Sequence, residues 1–213
     1  MGDTAAPSQG PKIHTEVKDS DLVFRRRRQI VDASVQLFIS KGFHKTTTRE
    51  IAKAAGFSIG TLYEYVNSKE DVLYLVCQAI HSEMEQRLKQ RLRHGINGAR
   101  DLEAAIAVYF TVCDQMSDHI LLIYQETKSL PAESRRFVLE HELRITGVFK
   151  DLLARGVADF SLRPLHPPEI ALVAHNIMVV GHMWGFRRWA LAPSFSLEQY
   201  IQLQGDYLLG ELT

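Results

Sequence analysis

The segment Gly56-Phe57-Ser58-Ile59-Gly60 has the G-x-S-x-G spacing of a hydrolase nucleophile elbow. That chemistry needs a strand before the serine, and a His and an Asp supplied by a sheet. The residues before Gly56 follow a helical pattern and no segment alternates as a strand does, so the glycines are read as a turn between two helices. Nine histidines raise metal ligation as a second chemistry. His175 and His182 are seven apart on one helix face and His119 follows Asp118, but no H-x-x-x-H pair exists. A single histidine on such a face is ordinarily a hydrogen-bonded core or interface residue. Cys77 and Cys113 form neither a C-x-x-C pair nor a disulfide framework, which fits a reducing, cytoplasmic setting. No catalytic residue, metal or cofactor is expected.

The third chemistry is recognition of nucleic acid. Ser58, Gly60 and Thr61 are small residues at the start of a short helix, followed by Tyr63 and Tyr65. In a helix-turn-helix, the first helix braces the second, whose N-terminal residues enter the major groove. Lys69, opening the next helix, offers a cation and a helix N-terminus to a phosphate. Leu62 and Val66 are read as core. Tyr63 is assigned to DNA, while Tyr65 is left between DNA and core.

These residues need helices to hold them. Ile30, Ala33, Leu37 and Phe38 mark one face of a helix running from Phe24 to Lys41-Gly42. Thr47-x-x-Glu50 has capping-box spacing, and its helix stops at Gly56, where left-handed geometry is wanted. Ser58 caps a third helix through Val66. Leu73, Val76, Ile80, Met84, Leu88 and Leu92 keep the spacing of a long fourth helix. Further helices are expected over 99–116, 119–128, 132–157, 169–191 and 197–210, so the fold class is all-α. The chain is 46% hydrophobic, enough for a real core. Ile170–Phe186, free of charged residues, is too short and too polar for a membrane span.

Lys and Arg total 25, as do Asp and Glu, which excludes a polycation that coats nucleic acid by charge alone. The balance is uneven along the chain. Residues 22–69 carry nine basic and three acidic side chains, a net +6, against −2 for residues 1–21 and −4 for 70–213. The expected organisation is a disordered arm (1–21), a basic helix-turn-helix domain (22–69) and a larger acidic module (70–213). Arg25 to Arg28 oppose the dipole of their helix, and one or two of them, Arg28 included, are assigned to phosphate.

Four runs carry a family resemblance. They are Arg28-Gln-Ile-Val-Asp-Ala-Ser-Val-Gln-Leu-Phe38, Lys41-Gly-Phe-His-Lys-Thr-Thr-Thr-Arg-Glu-Ile-Ala52, Ala54-Ala-Gly-Phe-Ser-Ile-Gly-Thr-Leu-Tyr-Glu-Tyr-Val66 and Ser68-Lys-Glu-Asp-Val-Leu73. The sequence resembles the TetR family of bacterial transcriptional regulators. The resemblance implies phosphate contacts by Thr47 or Thr48, Tyr63 and Lys69, with Arg49 beside them. It implies groove contacts by Ser58, Ile59, Gly60, Thr61 and Tyr65. Ile59 stands where many members have Lys or Arg, so an apolar contact to a thymine methyl is expected there. Val66 replaces the common Phe.

For the larger module the resemblance implies a ligand pocket and a dimer interface. Tyr109, Phe110, Cys113, Tyr124, Glu126, Phe149 and Trp184, with Gln125, are ligand candidates, though each is equally an ordinary core or surface residue. Such a mix suits a lipophilic effector with a polar handle, an acyl-CoA or other lipophilic acid. Gly181-x-x-x-Gly185 with Met178, Trp189, Tyr200 and Tyr207 is the dimer candidate; the small residues would equally admit an internal neighbour. The expected function is a homodimeric repressor on a pseudo-palindromic double-stranded operator, released by ligand, with no membrane partner. The rival reading is an all-helical enzyme or a protein-interaction module.

Overall fold

The computed structural model describes residues 10–91, 95 and 97–212, and the regular structure among them is helical throughout. In chain order the helices are α1 Ser20–Lys41, α2 Thr48–Ala54, α3 Ile59–Tyr63, α4 Lys69–Arg91, α5 Gly98–Gln115, α6 Ser117–Glu126, α7 Ala132–Ala158, α8 Pro167–Phe186, α9 Arg188–Leu191 and α10 Leu197–Gly210. Leu92, expected on the fourth helix, lies outside the described residues. No single described helix is long and apolar enough to cross a membrane. The chain divides into two compact units, one of Met1–Ala79 with Leu122–Glu140, the other of Ile80–Leu121 with His141–Thr213. The division falls inside α4, between Ala79 and Ile80.

In the first unit, Asp19 starts α1 four residues earlier than the apolar pattern suggests. Its carboxylate accepts from the Asp21 and Leu22 N–H groups at 3.0 Å each. The buried stripe of α1 is Ile30, Val31, Ser34, Val35 and Phe38, so Ala33 and Leu37 sit at its edge. Ser34 enters the stripe by returning its hydroxyl to the Ile30 carbonyl at 2.6 Å. Ile51, Ala52, Leu62, Val66 and Leu73 complete the core, with Phe38 edge-on to Phe43 at 5.3 Å.

The expected disordered arm needs correction over residues 10–21; residues 1–9 lie outside the described residues. Gly10 to Asp19 form no helix, yet they are tied down along the first unit. Thr15 donates to the Glu64 carbonyl at 2.6 Å, and Arg27 donates to the carbonyls of Ile13 (2.8 Å) and Tyr65 (3.0 Å). Gly10 lies against Tyr74 and Phe137 with no room for a Cβ, which would stand 2.1 Å from the Tyr74 hydroxyl. Backbone carbonyl partners leave no periodic trace in sequence, so a polar, aperiodic arm is anchored nonetheless.

In the second unit, α5 packs against α8 and α10. Rings fill the space: Tyr109 with Phe149 at 5.2 Å, Phe110 with Tyr200 at 5.8 Å and Trp184 with Tyr200 at 4.9 Å. A Cβ at Gly181 would meet Tyr109 at 2.6 Å, and one at Gly185 would meet Ser117 at 3.2 Å. Gly181 and Gly185 both admit internal neighbours, Gly181 buried and Gly185 half-buried. Met178 and Tyr200 are buried too, the Tyr200 hydroxyl donating to the Val180 carbonyl at 2.7 Å. Trp189 and Tyr207 remain at the surface, 75% and 79% exposed. The helix expected over 169–191 breaks at Arg187, where the backbone leaves helical geometry before α9.

Candidate nucleic-acid interface

Local signals build the recognition element. Thr47 caps α2 by accepting from the Glu50 N–H, and Glu50 returns to the Thr47 N–H at 2.9 Å, completing the capping box. Gly56 turns the chain at φ +76, the conformation glycine adopts at no steric cost. The Phe57 N–H then bonds the Ala52 carbonyl at 2.8 Å. Ser58 caps α3, accepting from the Thr61 N–H at 3.0 Å. With Leu62 fully buried as the anchor, α3 turns Ser58, Ile59, Gly60 and Tyr63 outward. Ile59 is 39% and Tyr63 48% exposed. Thr48 meets the Tyr63 hydroxyl at 3.3 Å, so two expected phosphate contacts lie side by side.

The basic residues separate into two groups. Lys41 pairs with Glu50, and that bond, with those from Thr47, holds the Glu50 carboxyl down at about 2. Arg26 lies over the Phe57 ring at 5.2 Å and donates to Gln29. Arg27 is taken by the arm, and burial lowers its guanidinium below the ordinary range. Arg25, Arg28, Lys45, Arg49 and Lys53 are exposed and make no side-chain bond among the described residues. Of the four consecutive arginines, two are structural and two face solvent.

Two expected DNA contacts are corrected. Tyr65 is 4% exposed with its ring against Phe57 at 6.5 Å, so it is a core residue. Lys69 donates to the carbonyls of Phe43 (2.9 Å), His44 (3.3 Å) and Thr46 (3.0 Å), and its ammonium lies 4.4 Å from the Phe43 ring centre. Those three bonds use the ammonium's donors. Lys69 braces the loop that delivers α2.

The amino-terminal region matches the family model for bacterial regulatory proteins of the tetR family over residues 30–74. Residues 95–187 match that for the tetracyclin repressor-like C-terminal domain. The chain is 30% identical to the HTH-type transcriptional regulator HbdR of Aromatoleum sp. (strain CIB) over 204 residues, covering 96% of this chain and 87% of that one. The chain belongs to the TetR family of transcriptional regulators. The HTH-type transcriptional repressor KstR2 of Rhodococcus jostii (strain RHA1) is 27% identical over 147 residues, 68% of this chain and 72% of the relative. Among solved folds, a tetR-family regulatory protein from Rhodococcus RHA1 superposes with a TM-score of 0.75 at 21% identity, covering 88% of this chain and 97% of that one. AibR, in complex with isovaleryl coenzyme A and operator DNA, gives 0.70 at 18% identity, covering 85% and 97%.

The second unit holds most of the carboxy-terminal family match, and it gathers most of the ligand candidates. Tyr109, Phe110, Cys113, Phe149 and Trp184 are buried within it. The Tyr109 hydroxyl meets His182 Nε2 at 2.7 Å, and Trp184 donates to Asp114 at 2.7 Å. Burial pushes the Cys113 thiol up to about 12. Tyr124 and Glu126 lie in the first unit, although within the same family match; Tyr124 is 47% exposed, and Glu126 is engaged by His44 at 3.5 Å and Ser129 at 3.2 Å. Sequence reading passed over His81 and His141, both buried. The signal was present: His81 falls in register with Cys77, Met84 and Leu88, and His141 with Val138 and Ile145, polar residues on apolar faces. Among the described residues no group of three or more ligating side chains could hold a metal ion.

Proposed function

We propose that this TetR-family chain is a cytoplasmic homodimeric repressor, without catalytic activity, whose operator is released by a coenzyme A thioester. The observation that carries the DNA reading is the outward set Ser58, Ile59, Gly60 and Tyr63, flanked by unengaged Arg25, Arg28, Lys45, Arg49 and Lys53. A short capped helix with small residues first is fitted to a major groove, and free cations around it to phosphates. Ile59 reads by apolar contact, suited to a thymine methyl. Dimerisation is supported by the apolar residues left exposed on α8 and α10: Leu172, Val179, Met183, Leu203 and Tyr207. Two recognition helices would then meet successive major grooves about 34 Å apart.

The effector class is supported by the relatives. AibR binds isovaleryl coenzyme A, and a fatty acid metabolism regulator of Bacillus subtilis (strain 168) is 28% identical over 125 residues. An interior rich in rings with isolated polar groups suits an acyl chain. Helix α4 is continuous through Lys69–Ala79 of the first unit and Ile80–Arg91 of the second, and it is the proposed carrier of the signal. The test is a gel shift of the full-length protein on DNA flanking its own gene, with and without acyl-CoA. A shift that unrelated DNA competes away equally well, at matched salt, would count against operator recognition.

A further inference from the structure

The interior of the second unit holds a polar cluster. His81, on α4, is 3% exposed, and its Nδ1 makes no hydrogen bond with any described group. Its ring lies 5.5 Å from that of His141 on α7, whose Nε2 stands 3.3 Å from a Glu85 carboxylate oxygen. His182 on α8 is also 3% exposed and holds the Tyr109 hydroxyl of α5 at 2.7 Å. Four helices thus bring imidazoles and a phenol to one interior. A core that needed only packing would have an apolar residue at His81, because an unpaired buried nitrogen is unfavourable.

The cluster's charge state narrows what it takes. Burial, with His141, His182 and Arg144 nearby, lowers His81 to about 3, and burial alone lowers His182 to about 4. Near neutral pH both rings are uncharged, each with one donor and one acceptor nitrogen. A buried carboxylate would find no cation in these rings, whereas an uncharged oxygen finds a donor. Resting on the effector reading above, we propose that His81 donates a hydrogen bond to an uncharged oxygen of the effector's acyl portion, its thioester carbonyl or a hydroxyl on the chain. The site takes acyl thioesters and discriminates against free acids.

The test uses the full-length protein on its promoter DNA, followed by fluorescence anisotropy. Probes are straight-chain acyl-CoA thioesters from short to long, their β-hydroxy counterparts and the matching free acids. In His81→Phe, half-release should need about tenfold more thioester, because the oxygen is buried unpaired, while His81→Gln, which keeps a donor, stays within about threefold of wild type. If the hydroxyl is the contact, β-hydroxy thioesters outperform plain ones on wild type, and His81→Phe abolishes that advantage. If the carbonyl is the contact, both series weaken equally. Ligand-free His81→Phe should melt at or above the wild-type temperature, since an orphan nitrogen is removed. Wild-type release by thioesters that His81→Phe leaves unchanged overturns the site, and so does equal release by free acids. A large fall in ligand-free melting temperature in both variants also overturns it, making His81 structural. Failure of every thioester on wild type overturns the effector reading itself, and the site with it.

Discussion

Lys69 and Tyr63 look alike in sequence, two polar side chains near a recognition helix, but their surroundings give them different work. Tyr63 is half-exposed, and among the described residues its hydroxyl bonds only Thr48, whereas Lys69 is spent on three backbone carbonyls. Tyr63→Phe should therefore lower operator affinity with melting temperature unchanged. Lys69→Ala should lower stability by about 1–3 kcal/mol, since three carbonyls lose a charged donor, and operator binding should fall only as folding does. Thermal melts beside binding isotherms at one salt concentration separate them; a Lys69→Ala protein of wild-type stability would return that lysine to the phosphate backbone. Buried histidines give a second residue-level test. His81 and His182 titrate near 3 and 4 when folded, against about 6.5 unfolded, so between those values the unfolded chain binds more protons. Stability is complete above about pH 6.5 and falls as the pH drops towards the folded values. Near pH 5 each should cost about 2 kcal/mol, and urea melts of His81→Phe should show a shallower acid loss. A wild-type curve flat between neutrality and about pH 5 would contradict burial of the neutral rings.

Among elements, what could be read from sequence depended on how far apart the partners stand. The Thr47–Glu50 box, the Gly56 turn and the Ser58 cap each close within a few residues, so residue type and spacing sufficed. Lys69 reaches back 23 to 26 residues, and Thr15 reaches forward 49, and no local pattern announces such bonds. The Gly181–Gly185 spacing said that something approaches closely but not what; the neighbours are Tyr109 and Ser117 of the same chain. The arm has consequences for the recognition element. Thr15 and Arg27 together bind the carbonyls of Glu64 and Tyr65, the two residues that follow α3. Holding that end limits the freedom of a helix only five residues long, which has little stability of its own. Arg27→Met should lower operator affinity several-fold and speed amide exchange at the end of α3, with Thr15→Val acting in the same direction. Arg28→Ala, removing an exposed cation, should instead flatten the salt dependence by about one unit without changing exchange. Identical behaviour of the two arginine variants would refute the division of the basic run into structural and DNA-facing halves.

At the scale of the whole molecule, the zero net charge hides a basic module and an acidic one, and the apolar surface is distributed just as unevenly. Tilted ring contacts of Tyr200 with Trp184 and Phe110 tie α8 and α10 into the second unit by their inner faces. Their outer faces keep Leu172, Val179, Met183, Leu203 and Tyr207 in solvent, 40% to 79% exposed. Exposed apolar residues of this number on neighbouring helices are a poor match for a monomer's surface and a good one for a two-fold interface, where each residue is used twice. A charge placed there is buried without a partner in the dimer and remains hydrated in the monomer, so Val179→Glu with Leu203→Glu should dissociate the pair while leaving each protomer folded. Sedimentation should show the mass of one chain, with helical circular dichroism retained. Operator binding should then weaken far more than in any single recognition-helix variant, because linking two half-sites through one dimer multiplies their affinities by an effective concentration that separate protomers lack. A dimeric double variant would move the interface off α8 and α10. A monomeric variant with wild-type operator affinity would instead show that one helix-turn-helix reads the site alone.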